Sequence, residues 1–386
     1  MALFEHVWGI LSYLVPFLFV LTIVVFFHEL GHFLVGRWCG VKADAFSIGF
    51  GKEIIAFNDK HGTRWRFAWI PLGGYVKFHG DPNAASMGQS EMHAQMSPEE
   101  RKISFFAQPV WKRAAIVFAG PAASFLLGIV IFTGSFWLQG RGDFIAEIER
   151  VQPGEPAAAA GFQPGDIVVS IDAQPIESWS QMQRIVQVSA DTPLTFVVQR
   201  QSKDVPLTVT PRRRDLSTPF GKNRVGTIGI EAAVKPENWR IQTFSLPASA
   251  RMAVSETGFI IERTGAFVGG LFAGRESAEQ ISGPIRIAEI SGAVAKVSFG
   301  ALMNLAAILS ISIGLLNLVP IPMLDGGHLL YYAIESLKGR PMSERKQEWG
   351  FRVGLGLVMA LMLFATMNDL LHVGPKLATW LAGGAG

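Results

Sequence analysis

Four stretches of the chain, 7–27, 114–140, 297–324 and 353–368, contain no Asp, Glu, Lys or Arg and are filled with Leu, Val, Ile, Phe, Ala and Gly. A helix rises 1.5 Å per residue, so about twenty apolar residues cross a hydrocarbon layer ~30 Å thick. The first three stretches reach that length. The fourth is shorter, and its far boundary, past Asp369 through Leu370, Leu371 and Val373, stays open. The pattern therefore predicts four transmembrane helices. The segment before the first stretch has no Lys or Arg and no small-residue cleavage site follows it, so a retained helix is expected rather than a cleaved leader.

Between the second and third stretches the pattern changes. FIAEIERV, DIVVSI, LTFVVQR and PLTVTP, within 142–213, are strand-like runs rich in β-branched residues, separated by the turn signals QPGE, QPGD and DAQP. SWSQMQRIVQV has helical periodicity. A small β-rich soluble domain is expected here. Farther on, Met252, Phe259, Ile260, Phe267 and Leu271 share one helical face, with Glu256, Glu262, Arg263 and Arg275 interspersed. This predicts an amphipathic helix at the membrane surface, with a packing helix of the outer domain as the alternative.

Charge adds orientation. Lys and Arg collect in 36–113 (Arg37, Lys42, Lys52, Arg64, Arg66, Lys112, Arg113) and again between the third and fourth stretches (Lys338, Arg340, Arg345, Lys346). By the positive-inside rule the 36–113 loop is cytoplasmic, and the N-terminus, the 141–296 segment and the C-terminus lie outside. Composition agrees with a membrane protein: 49% of residues are hydrophobic and only 17% charged, against about a quarter charged in soluble domains. A net charge of +3 is too small and dispersed for a nucleic-acid partner. The single cysteine, Cys39, excludes an intramolecular disulfide and a cysteine-built metal cage.

The candidate chemistry lies where the apolar pattern should exclude it. FFHELGHFLV, residues 26–35, places His28, Glu29 and His32 directly after an apolar run, and ionisable groups at membrane depth are costly unless they serve a function. In the HExxH spacing on a helix, positions i and i+4 share a face, so two imidazoles reach one metal ion with the glutamate beside it. A catalytic zinc takes three protein ligands. A candidate third lies in NLVPIPMLDGGH, where Asn317, Pro320, Pro322, Asp325, Gly326, Gly327 and His328 cluster at the end of the third stretch. Prolines and glycines so close together break a helix, and broken helices at membrane depth line cavities. Both Asp325 and His328 are candidates on this reading.

Taken together, HExxH in the first stretch and NxxPxPxLDGG in a later one resemble the site-2 protease family of intramembrane zinc metalloproteases, in the bacterial form that acts as regulator of sigma-E protease. FSIGFGKEIIAF, RFAWIPLGGYVKFHGD and SGPIRIA resemble further family segments, with Arg286 where a small residue is more usual. GEPAAAAGFQPGDIVVSIDAQPI resembles a PDZ domain of the bacterial protease type. One such copy fits, where better-studied members carry two, and GKNRVGTIGIEAAV is a strand candidate to complete it.

The resemblance implies a polytopic α-helical membrane protein with four transmembrane helices, a re-entrant β-hairpin and an inserted α+β PDZ-like domain. The implied layout is 1–140 for helices one and two with the cytoplasmic loop, 141–240 for the PDZ-like domain, 241–296 for the surface segment and 297–386 for helices three and four. It makes His28, His32 and Asp325 the ligands of Zn2+ and Glu29 the general base for the attacking water. Asn317 would hold the substrate backbone. Gly73, Gly74, Tyr75 and Val76 would form the edge to which a substrate strand adds. Implied substrates are single-pass transmembrane proteins, either anti-sigma-type regulators cut in regulated intramembrane proteolysis or signal-peptide remnants, in contact with lipid in a bacterial inner membrane. A peptide ligand of the PDZ-like domain is a further expected partner. The alternative is a non-catalytic membrane protein that binds transmembrane helices and presents them through its PDZ-like domain. A zinc transporter would need more ligands along its path than the sequence offers.

Overall fold

The computed structural model describes residues 2–80, 96–218, 221–274, 278 and 281–383. Two compact units divide the chain: Met1–Gly134 with Ala250–Ala266 and Ile281–Gly386, and Ser135–Ser249 with Phe267–Gln280.

The chain opens with α1 (Ala2–Trp38), a single helix that runs through Pro16 and carries the whole HExxH segment in its C-terminal half. A sheet follows, made of β1 (Ala43–Asn58) and β2 (Arg64–Phe78). Both strands bend, and residues 43–50 pair with 64–70 on one side and 74–78 on the other, while 53–58 pair with 64–68. Four segments result, in the order 74–78, 43–50, 64–70, 53–58; the two outer pairings are antiparallel, while Ala45–Ile48 and Arg64–Phe67 run side by side in the same direction. Among the described residues no further strand pairs with 74–78, so that segment is an edge. After the short capped helix α2 (Pro98–Ile103) comes α3 (Val110–Leu138). Phe33, Phe46, Phe78, Ile116 and Val117 form one buried cluster that fastens α1, the sheet and α3 together.

The second unit is built from short strands and helices. β3 (Arg141–Phe144) and β4 (Ile148–Val151) lead to α4 (Pro156–Ala160), β5 (Ile167–Ile171), β6 (Gln174–Pro175), α5 (Trp179–Val188), β7 (Leu194–Arg200), β8 (Lys203–Val209), β9 (Arg212–Thr218), β10 (Gly221–Thr227), β11 (Ile230–Ala232) and β12 (Trp239–Gln242). The main sheet has the order β6-β5-β7-β8, and β11, from GKNRVGTIGIEAAV, pairs with β4. Ile148, Phe162, Val168, Met182, Phe196 and Val198 fill its core. All but Phe162, which follows α4, come from a run that the alternation of apolar and polar positions marks as strand, or from the periodic helix.

Next is α6 (Leu246–Phe272). The amphipathic pattern predicts a helix here, and one forms. The buried line is not the predicted face of large apolar residues, however. It runs through Ser249, Ala253 and Thr257, each four residues from the next. Small residues let a neighbouring backbone approach, which leaves Met252, Phe259 and Ile260 only half-buried.

α7 (Pro284–Val297), α8 (Phe299–Asn317), α9 (Asp325–Lys338) and α10 (Glu344–Gly383) complete the chain. The third apolar stretch is therefore not one helix to 324: α8 stops at Asn317 and α9 starts at Asp325. Pro320 and Pro322 lack the N–H that a helix needs, and Met323 is held at φ +89°, a left-handed conformation rare for a non-glycine residue. The fourth helix runs past the open boundary at Asp369 because that carboxylate is not exposed to lipid. It is fully buried, and its two oxygens accept the Gly283 and Arg286 N–H groups at 2.8 and 3.0 Å, capping α7 from another helix.

Among the described residues, four helices are long and apolar enough to cross a membrane: Trp8–Trp38, Val110–Leu138, Phe299–Asn317 and Arg345–Leu371, with mean hydropathies of 2.7, 2.3, 2.0 and 1.8. Leu355, Leu357, Leu361 and Leu363 of the last are exposed, which suits a hydrocarbon surround.

Candidate metal centre

α1 presents His28 and His32 one turn apart on the face that meets α3, with ring centroids 4.9 Å apart. The two helices approach closely because Gly31 has no side chain; a Cβ there would stand 2.2 Å from the Ala119 carbonyl oxygen. α3 answers with Gly120. A Cβ at 120 would lie 2.2 Å from His32 Nε2 and 2.9 Å from His28 Nε2, so only glycine leaves the space these nitrogens face. From the other side, the break after α8 brings Asp325, the first residue of α9, to the same point.

The geometry has a definite chemical character. His28 Nε2 and His32 Nε2 are 3.3 Å apart, and Asp325 oxygens lie 3.1 Å from the first and 3.6 Å from the second. His32 Nδ1–H donates to the Ile116 carbonyl at 2.9 Å, which leaves Nε2 with a lone pair. His28 Nδ1 sits 3.0 Å from the hydroxyl of the fully buried Ser124, and when it donates there its Nε2 is likewise an acceptor. Asp325 Oδ2 is a buried oxygen with no hydrogen-bond partner among the described residues, despite its nearness to His28. With both imidazoles protonated at Nδ1, three acceptors face one another, an arrangement that repels itself unless a cation fills it. Two imidazole nitrogens and a carboxylate oxygen, all within 4.8 Å of one another, form a donor set suited to zinc with a fourth position left for water.

The remaining candidates surround this point. A cavity of about 340 Å³ is lined by His28, Glu29, His32, Asp325, Asn317 and the Gly73, Gly74, Tyr75 and Val76 stretch, together with His328. Glu29 packs against the sheet edge: a Cβ at Gly74 would stand 3.2 Å from the Glu29 Cγ. The Asn317 amide lines the cavity with no hydrogen bond to another described residue. His328 also lines the cavity, one turn beyond Asp325, but the three-donor cluster forms without it.

Sequence reasoning missed Gly120, Ser124 and the Ile116 carbonyl, which orient and make room for the histidines. The signal available was the small-residue run AGPAAS within the second apolar stretch, since small residues mark close helix packing in membranes.

A model of peptidase family M50 matches residues 16–361. A protein of Mesorhizobium japonicum whose name puts it among the zinc metalloproteases is 49% identical over 364 residues, covering 93% of this chain and 99% of that one. A Brucella suis relative with the same type of name is 49% identical over 358 residues, 92% of this chain and 94% of its own. Metalloprotease MmpA of Caulobacter vibrioides is 40% identical over 385 residues, 94% and 96%. The chain belongs to peptidase family M50. It is a membrane zinc metalloprotease, with four apolar helices to hold it in the bilayer.

Proposed function

We propose that this chain is an intramembrane endopeptidase that cuts peptide bonds within single transmembrane helices of its substrates, with His28, His32 and Asp325 as zinc ligands. One observation carries the proposal: the converging acceptors, Glu29 and an unpaired strand edge line a single cavity, and His28, Glu29 and His32 lie within the apolar helix Trp8–Trp38.

When bound, zinc supplies Lewis-acid polarisation of the scissile carbonyl and makes water a stronger acid. Glu29 takes the proton from the attacking water and passes it to the leaving amine, with its side chain set against Gly74 of the sheet edge. A helical substrate shields its peptide bonds with its own i→i−4 hydrogen bonds, so it must unwind before it is cut. Unwinding leaves amides unpaired in a dry site, at a cost of several kcal/mol for each. The 73–76 edge offsets that cost by strand addition, and the Asn317 amide bonds a further backbone group. The apolar residues Phe50, Ile54, Trp69 and Ile70 around the sheet's bends are exposed, which supports a hairpin that re-enters the bilayer.

The preferred substrates are single-pass proteins with helix-destabilising residues near the cut, including anti-sigma-type regulators and signal-peptide remnants. The N-terminus, C-terminus and PDZ-like segment lie outside a bacterial inner membrane, with the 36–113 loop in the cytoplasm. In the outer segment, a groove of about 190 Å³ lined by Trp179, Met182, Val186, Ile228 and Ile230 supports a peptide ligand for the PDZ-like fold. The test is to map, by mass spectrometry, where a single-span substrate is cut in proteoliposomes. Cleavage is expected inside the span and faster when Gly or Asn replaces Leu near the cut. Cleavage only outside the span, indifferent to those replacements, would overturn the proposal.

A further inference from the structure

α9 begins at Asp325 without a side-chain cap from Leu324, and its first turn, through Gly326 and Gly327, packs only on the irregular backbone of its own 318–324 segment. A tie to a different helix lies three turns on. Glu335 receives both arms of Arg113 from α3, Nη2 to Oε1 at 2.6 Å and Nη1 to Oε2 at 3.2 Å, across 222 residues of sequence. Arg113 Nε donates to the Gln108 carbonyl at 3.0 Å, and the guanidinium carbon lies 4.9 Å from the centre of the Tyr332 ring. The arginine and glutamate side chains are 8% and 13% exposed, so this is not a solvated surface pair, which would contribute little. A forked guanidinium accepts only a narrow range of carboxylate positions.

The two ends of this linkage bracket the metal centre. Seven residues after Arg113, about 10 Å along α3, Gly120 makes room for the histidines. Ten residues before Glu335, about 15 Å along α9, stands Asp325. Tyr332, between them, is 7% exposed and lines the catalytic cavity. Sliding or rotating α9 on α3 carries Asp325 away from His28 and His32, and the bidentate pair opposes that movement.

We propose that Arg113 and Glu335 are positioning residues of the zinc centre, fixing the register of α9 on α3 so that Asp325 completes the ligand set. This rests on the reading of His28, His32 and Asp325 as the zinc ligands. The test uses full-length protein in detergent and compares wild type with Glu335→Gln, Arg113→Lys and the double variant. The readouts are zinc affinity by chelator competition, the visible spectrum of the cobalt-substituted protein and the melting temperature of the zinc-free protein. Each single variant is expected to bind zinc at least about tenfold more weakly and to show a changed cobalt spectrum, beyond the lowered zinc-free melting temperature that a broken buried ion pair brings. The double variant should be no weaker than the weaker single one. Zinc affinities within twofold of wild type and an unchanged cobalt spectrum, even with lowered melting temperatures, would overturn the proposal by making the pair a matter of fold stability alone. Additive losses in the double variant would overturn it as well. A wild-type protein that binds no zinc would instead sink the metal-centre reading itself.

Discussion

Gly120→Ala adds one carbon atom to the protein and places it where the structure has no space. The new Cβ would stand 2.2 Å from His32 Nε2 and 2.4 Å from its Cε1. Favourable non-bonded contacts lie at about 3.5–4 Å, so the ring must withdraw by roughly 1 Å or more, and His28 must shift less. Metal ligands tolerate displacements of only about 0.2 Å. The helix itself does not object, since alanine in place of an interior glycine favours helix by roughly 0.5–1 kcal/mol. Loss of His32 from the ligand set is expected to weaken zinc binding by at least about a hundredfold, which is about 2.7 kcal/mol. Overpacking costs about 1–3 kcal/mol, so zinc-free stability should fall modestly, by less than the loss in zinc binding. Metal content after dialysis, chelator competition and circular dichroism on purified protein measure the three quantities. Zinc affinity within threefold of wild type would show that the nitrogens facing Gly120 are not ligands, and the reasoning would fail.

Three further outcomes are expected. Asn317→Ala should keep zinc while raising KM for a single-span substrate about tenfold, as for the loss of one or two hydrogen bonds to an unwound backbone; an unchanged KM in a cleavage assay removes the residue from substrate binding. Val76→Pro removes a backbone N–H from the edge segment that lines the cavity beside Glu29, and an edge position tolerates proline best. Turnover should fall by about a hundredfold with zinc content intact, and a variant of normal activity would leave Glu29 free of the strand. Chelation of the metal should release α9 at its N-terminus, so hydrogen exchange should quicken in 318–327 and leave the core of the second unit around Phe196 and Val198 unchanged. Uniform exchange rates with and without zinc would contradict a metal that ties α1 to α9.

Much of the site could be read from sequence because its chemistry is local. HExxH needs only a helix to align two imidazoles, and LDGG after two prolines needs only a helix break. The four apolar stretches were equally plain, since nothing but a bilayer or a core holds so many uncharged residues in a row. What stayed hidden depends on partners distant in sequence. The capping of α7 by Asp369 joins positions 86 and 83 residues apart, and the Arg113–Glu335 pair joins positions 222 apart. The end of α8 at Asn317 was obscured because hydropathy continues to Leu324 while the backbone does not. The burial of Ser249, Ala253 and Thr257 in α6 was missed because hydrophobic periodicity ranks large residues above small ones, and close packing inverts that order.

The most direct test compares wild type with Glu29→Gln, counting bound zinc and following cleavage of a single-span substrate in the same samples. The expected result is about one zinc per chain in both, cleavage within the span by wild type, and a rate at least ~100-fold lower in the variant. A variant that cuts as fast as wild type, or a wild-type protein without zinc, would contradict a metal centre at His28, His32 and Asp325 served by Glu29.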